Sequence, residues 1–291
     1  MTIRIFKQDY FFFSALFLCW MGWVLVGYKP VPFNGQPLPS ANLERHPGSA
    51  LGQHVKGEQD IAKLKTSLVS EKDSSARMEI FNAIGSAYFD LERENGNRIL
   101  FDSVYKFYTL SVLGAPTVAR YHYNLGRFYT DIASHEKAKA EYEATIALDP
   151  MHVFALNNLG MACYFELKQP VAACQYLSRA LAIDSMLFTC NLALGLAEID
   201  VKAYSSAREH FEREIALDQS YSKRSQQYPT SAGNVRYAEA LAHSNLALLY
   251  STQFPDQQKA QMHFHAYLQI EQDPQKREDL TQQMKKYWVM K

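Results

Sequence analysis

Cysteine is scarce in this chain and poorly placed for chemistry. Of 291 residues only Cys19, Cys163, Cys174 and Cys190 are cysteine. No two form a C-x-x-C pair. Cys19 sits inside an apolar run, which leaves an odd number, so neither a disulfide framework nor a cysteine zinc site has support. The other three read as small buried hydrophobes. Net charge is missing too: 30 Lys plus Arg balance 30 Asp plus Glu. A neutral chain lacks the overall attraction to phosphate that drives nucleic-acid binding. No P-loop, nucleophile elbow or dinucleotide fingerprint is present. His263 and His265 are two residues apart and would leave a helix on different sides, unlike metal ligands at i, i+4. No residue is therefore assigned to catalysis, to a cofactor or to a metal.

What the chain does have is a long apolar run near its start. Tyr10–Tyr28 reads YFFFSALFLCWMGWVLVGY and carries no charge. At about 1.5 Å per residue it matches the roughly 30 Å hydrocarbon core of a bilayer. Tyr10 and Phe11 stand at one end and Trp20, Trp23 and Tyr28 at the other, where amphipathic rings favour the headgroup level. The run is longer than a usual signal-peptide core, and no A-x-A-like site follows it. We expect an uncleaved single-pass anchor. Arg4 and Lys7 precede it and Lys29 follows, so the positive-inside bias places the N-terminus in the cytoplasm and the remainder outside, in a periplasmic or extracytoplasmic space. After it come Pro30, Pro32, Pro37, Pro39 and Pro47 with Gly35, Gly48 and Gly52. These residues sustain neither helix nor central strand, so the segment reads as an extended linker.

The rest is organised by self-similarity. Leu125, Gly126, Tyr129, Ala138, Tyr142 and Pro150 follow the spacing W-x2-L-G-x2-Y, then A-x3-F, then P, with His122 in the Trp place. Gly160 comes 34 residues after Gly126, beside Leu159 and followed by Ala173 and Leu177. Gly195 comes 35 after Gly160, with Leu194, Ala207 and Phe211. The turn at Lys168-Gln169-Pro170 carries one extra residue, which accounts for the longer step. Weaker copies flank these. Phe81, Ile84, Gly85 and Tyr88 precede a longer loop near Glu94–Asn97 and a second helix over about Ile99–Leu113. Leu246, Ala247, Tyr250, Ala260 and Phe264 end at Pro274. From about Ala76 to Pro274 the sequence resembles the tetratricopeptide-repeat (TPR) family, whose period this is.

The resemblance implies an all-α solenoid of helical hairpins, about five repeats with the first and last divergent, behind a single N-terminal transmembrane helix. The expected organisation is a tail over 1–9, the transmembrane helix over 10–28, the linker over 29–57, a capping helix over 58–75, the solenoid over 76–274 and a capping helix over 275–291. Ile61, Leu64 and Leu68 give the first cap an apolar side; Leu280, Met284, Tyr287 and Trp288 give the second. Gly126, Gly160 and Gly195 are expected where each first helix meets its second, facing Ala138, Ala173 and Ala207. Ligands of the family lie along a concave face lined by the first helices. This implies binding positions at Arg120, Tyr123, Asn124, Arg127, Phe154, Asn157, Asn158, Met161 and Tyr164, followed by Thr189, Leu192, Leu196 and Ile199. The same positions also read as a solvated helix face with some residues buried by crowding. Family members that grip chaperone C-termini use a clamp of Lys, Asn and Arg. Asn158 fits one place, but Tyr123, Thr189 and Ala193 break the rest, so that ligand is not implied. Ser220–Asn234 reads as a polar inter-repeat loop, and Asp149 and Asp218 as turn residues. The chain thus reads as a non-catalytic scaffold or accessory subunit holding protein partners in a membrane or periplasmic complex. An envelope assembly factor or holdase for secreted clients is the alternative, and a regulator facing the cytosol follows if the topology is inverted.

Overall fold

The computed structural model describes residues 57–95, 98–187, 189–224 and 232–288. The tail, the expected transmembrane helix and the linker up to residue 56 lie outside these, as do residues 225–231 of the expected polar loop. Among the described residues no helix is long and apolar enough to cross a membrane. Those residues form twelve α-helices and no strand. In order they are α1 (Gly57–Ser70), α2 (Ser74–Asn95), α3 (Phe101–Gly114), α4 (Ala119–Asp131), α5 (His135–Leu148), α6 (Val153–Phe165), α7 (Pro170–Ile183), α8 (Cys190–Asp200), α9 (Tyr204–Arg224), α10 (Ala232–Thr252), α11 (Gln257–Ile270) and α12 (Pro274–Trp288). They fall into two compact units, one ending at Ala193 and the other running from Leu194.

In the first unit α2 pairs with α3, α4 with α5 and α6 with α7. Each pair closes on a glycine, but against a different neighbour from the one expected. A Cβ added at Gly126 would lie 2.8 Å from Cε1 of Tyr142, and one at Gly160 would lie 2.5 Å from Cγ of Leu177. The contact is thus with the large residue one turn after Ala138 or Ala173. Both alanines are buried, but it is the bulky side chain that lies flat on bare glycine backbone. Gly85 meets the Tyr108 ring in the same way. In the second unit Gly195 lies against Phe211.

The turns inside the pairs share a device. Ala133, Lys168 and Lys202 all have positive φ, between 55° and 65°. At Ala133 the following Ser134 N–H donates to the Tyr129 carbonyl, 2.8 Å away, and after Lys202 the Ala203 N–H donates to the Glu198 carbonyl, also 2.8 Å away. These six-residue closures satisfy carbonyls that the helix end leaves free. At Lys168 the closure is one residue wider, from Gln169 N–H to the Cys163 carbonyl at 2.7 Å. That is the extra residue read in the sequence, and Pro170 then opens α7 at its first position, where a missing N–H costs nothing. Between pairs, Asp149 accepts from Met151 N–H and Asp184 from Met186 N–H, so both carboxylates hold turns.

Asp218 does not serve that role. It falls inside α9, which continues to Arg224, while α10 begins at Ala232. Residues 220–224 and 232–234 are therefore helical, and the expected long loop is mostly the extension of two helices that pack on each other. Both are 21 residues long against 13 for α4.

The two outermost corners are built alike. Asp73 receives Ala76 N–H, and Arg77 donates to the carbonyls of Leu68 and Glu71. Far along the chain Asp273 receives Gln275 N–H, and Arg277 donates to those of Leu268 and Glu271. The shared spacing E-x-D-x3-R folds a helix end back onto the next helix start. In the end helices Ile61 is buried in α1, and Leu280 and Met284 in α12.

Replacing Ala133 with Gly is expected to stabilise the chain by about 0.5–1 kcal/mol, because an L side chain is strained at positive φ and glycine is not. Ala138→Gly, in a buried helix interior, should cost about 1 kcal/mol or more. Urea midpoints measure both. A lower midpoint for Ala133→Gly would contradict the turn described here.

Candidate functional site

The expected binding positions lie on α4 and α6 of the first unit, with Thr189 and the α8 residues following; α2 packs beside α4. The α2–α4 side is cross-linked rung by rung. Arg120 forms an ion pair with Glu79 and lies 5.1 Å above the Tyr121 ring. Asn124 Nδ2 donates to Asn82 Oδ1 at 2.9 Å. The Arg127 guanidinium lies 5.3 Å from the Phe89 ring and 5.9 Å from the Tyr123 ring. Part-exposed cation–ring contacts of this kind contribute about 0.5–1 kcal/mol. Asp131, one turn on, is held above the usual carboxylate range by burial, with Arg93 and Arg127 opposing the shift.

Two of the expected site residues are core instead. Tyr123 is 6% exposed: its ring packs 4.6 Å from His152, the residue that caps the start of α6, and 6.1 Å from Tyr142. Burial raises its phenol above the ordinary value, with Arg127 and Asn158 pulling the other way. Asn157 is 3% exposed. Both stood on the outward stripe by position counting, but the start of the next repeat covers Tyr123. Thr189, Leu192, Leu196 and Ile199 are also buried. Every residue of α8 except Asp200 is buried, as a helix apolar all round should be. Arg120, Asn124, Arg127, Phe154, Asn158, Met161 and Tyr164 remain part-exposed.

The polar groups on this face are not all used. Arg120 Nε, Arg127 Nε and Asn157 Oδ1 are buried atoms with no hydrogen-bond partner. Asn158 Nδ2 makes a long contact, 3.5 Å, to the Tyr142 hydroxyl. On the α6 side Phe154, Met161, Tyr164 and Phe165 supply apolar surface; the Tyr164 and Phe165 rings meet edge-on at 4.8 Å. The face thus offers guanidinium and amide donors at one edge and rings at the other.

The tetratricopeptide-repeat family profile matches residues 119–152, which are α4, α5 and the turn into α6. Residues 119–152 are thus similar to a tetratricopeptide repeat. YrrB, a TPR protein with an unusual peptide-binding site, superposes with a TM-score of 0.55 at 14% identity, covering 75% of this chain and 97% of YrrB. MamA from Desulfovibrio magneticus RS-1, from residue 41 to its end, gives a TM-score of 0.50 at 16% identity, covering 64% of this chain and 94% of MamA. At such identities the likeness establishes the fold: an all-α, TPR-like helical solenoid. No curated protein matches the chain.

Sequence reasoning missed a buried polar cluster in the second unit. His243 on α10 and His263 on α11 face each other with their Nδ1 atoms 2.9 Å apart. The pattern holds no cue for it, since the two residues are 20 apart on separate helices. His265 is exposed while His263 is buried, so the two-residue spacing does split them to opposite sides. Of the cysteines, Cys163 and Cys190 are buried, and burial pushes the Cys163 thiol up. Among the described residues no group of three or more His, Cys, Asp or Glu is placed to hold a metal.

Tyr123→Ala is expected to cost about 3 kcal/mol or more as a large core truncation. Arg120→Ala should cost less than about 1 kcal/mol, because its ion pair is part-exposed. Thermal melts of the two variants check this. Equal costs would contradict the burial assigned to Tyr123.

Proposed function

We propose that this chain is a non-catalytic, membrane-anchored scaffold that holds a protein partner on the α2–α4–α6 face. TPR folds are protein-interaction modules, and the observation that carries this reading is the set of unused polar atoms on that face. Arg120 Nε and Arg127 Nε lack partners, and an unmet buried polar group costs about 1–3 kcal/mol. A peptide main chain brings carbonyls for the guanidiniums and N–H groups for the amides. Phe154, Met161 and Tyr164 beside them suit an apolar side chain of the same segment. YrrB carries a peptide-binding site on a related solenoid, which makes a peptide a reasonable occupant here. The uncharged Tyr10–Tyr28 run supports the anchor. Arg4 and Lys7 support a cytoplasmic N-terminus, with the solenoid facing a periplasmic or other extracytoplasmic complex.

The test uses full-length chain recovered from membranes in mild detergent. It should resist carbonate extraction and bring down a partner in fixed stoichiometry. Arg120→Ala together with Tyr164→Ala should weaken capture by about tenfold or more, if these are the hot spots expected of Arg and Tyr, with the same melting temperature for Arg120→Ala alone. Undiminished capture by the double variant would contradict the assigned face. Recovery of intact chain in the soluble fraction would contradict the anchor.

A further inference from the structure

The second unit contains two imidazoles pressed together in its interior. His243 and His263 are 8% and 7% exposed, and their rings lie 5.1 Å apart. They join α10 to α11 through the 2.9 Å Nδ1–Nδ1 contact. That contact fixes the proton count: one Nδ1 donates, the other accepts, so the rings are opposite tautomers of a neutral pair or share one added proton. Two added protons would set two cations face to face in a site water barely reaches, which is strongly unfavourable.

The surroundings do little to offset a second charge. Tyr250, also on α10, stacks parallel on His263 with centroids 5.7 Å apart, and its hydroxyl donates to Glu212 of α9 at 2.8 Å. Glu212 bears on the pair by favouring charge on His263, while Lys259 of α11 opposes it. Arg208 of α9 lies over Phe254, in the turn after α10, and Lys276 of α12 lies over Tyr237 of α10. Arg208 and Lys276 are thus engaged with rings of their own, and Lys276 also pairs with Glu271.

We propose that the His243–His263 pair is an acid-operated joint, in which protonation of both rings separates α11 from α10 and loosens the second unit. The sign follows from burial. Both rings are held below the ordinary value of 6.5, His243 down to about 4, by desolvation first, with the charge of His263 adding to the shift at His243 and that of Lys259 at His263. The unfolded chain therefore takes up protons first as pH falls below about 6.5. The stability present above that value is lost progressively toward about pH 4. Elsewhere in the unit, Glu198, pushed up to about 7 by burial and by Glu209, works in the opposite sense, gaining its proton more readily when folded. Its response to acid is stabilising and cannot produce the loosening. His210, also lowered by burial, shares the sign of the pair, so variants rather than the wild type alone decide the matter.

Hydrogen exchange of the full chain read by mass spectrometry, at about pH 7 and about pH 4.5, gives the test, with rates corrected for intrinsic pH dependence. The amides of α10 and α11 should exchange about tenfold faster or more at the lower pH, while those of α4–α7 hold. His243→Gln and His263→Gln should abolish that acid sensitivity, whereas His210→Gln should leave it. Should both pair variants fold poorly, imidazole resonances of the wild type decide: two separate titrations, one below about pH 5, are expected of a coupled pair. Acid-stable α10–α11 protection in the wild type, unchanged acid sensitivity in folded pair variants, or both rings titrating together near 6.5 would each overturn the proposal.

Discussion

Everything in this fold hangs on one steric contact, the large side chain of a second helix laid flat on the bare backbone of its first. At Gly126, Gly160 and Gly195 even a methyl group would sit 2.8 Å or less from the Tyr142, Leu177 or Phe211 side chain. That closeness fixes the axial spacing of each pair and leaves each pair with an apolar flank it cannot cover. Within the first unit, stacking the next pair is the remedy, and it brings α4 and α6 into a shared face. The contact also explains why Tyr142 is fully buried despite its hydroxyl, which is met by Thr130 at 3.0 Å.

The stacking has a consequence for the binding face. First helices brought side by side must settle their polar residues against one another before any partner arrives. Between α2 and α4 they do so through Arg120–Glu79, Asn124–Asn82 and Arg127 on Phe89. Along α6 the settlement is incomplete, with Asn157 Oδ1 unmatched and Asn158 held by a long contact. The polar rungs thus end where the rings of α6 begin.

The hairpin architecture was legible because packing demands it at fixed intervals. Small residues must recur where backbones meet, so Gly126, Gly160 and Gly195 announced the period, and the inserted residue at Lys168 announced the wider turn. The face was less legible. Counting along a helix places Tyr123 and Asn157 outward, yet what buries Tyr123 is the His152 ring from the start of the following repeat, a contact between distant positions. The extension of α9 and α10 through Ser220–Arg224 and Ala232–Asn234 was hidden because Ser, Lys and Arg are tolerated in long surface helices and loops alike. The His243–His263 pair left no trace, since its 20-residue separation belongs to no helix period. The matching corners at Arg77 and Arg277 were readable in principle, as E-x-D-x3-R occurs at both, but the physical cue is two backbone carbonyls that only a folded chain brings together.

A double-mutant cycle at the repeat spanning residues 119–152 tests the central contact most directly, combining Gly126→Ala with Tyr142→Leu. The Cβ added by the first substitution strikes the ring that the second removes. The account predicts that Gly126→Ala costs markedly less when Tyr142→Leu is already in place, with a coupling energy of about 1 kcal/mol or more from chemical denaturation. Costs that add to within about 0.5 kcal/mol would contradict it.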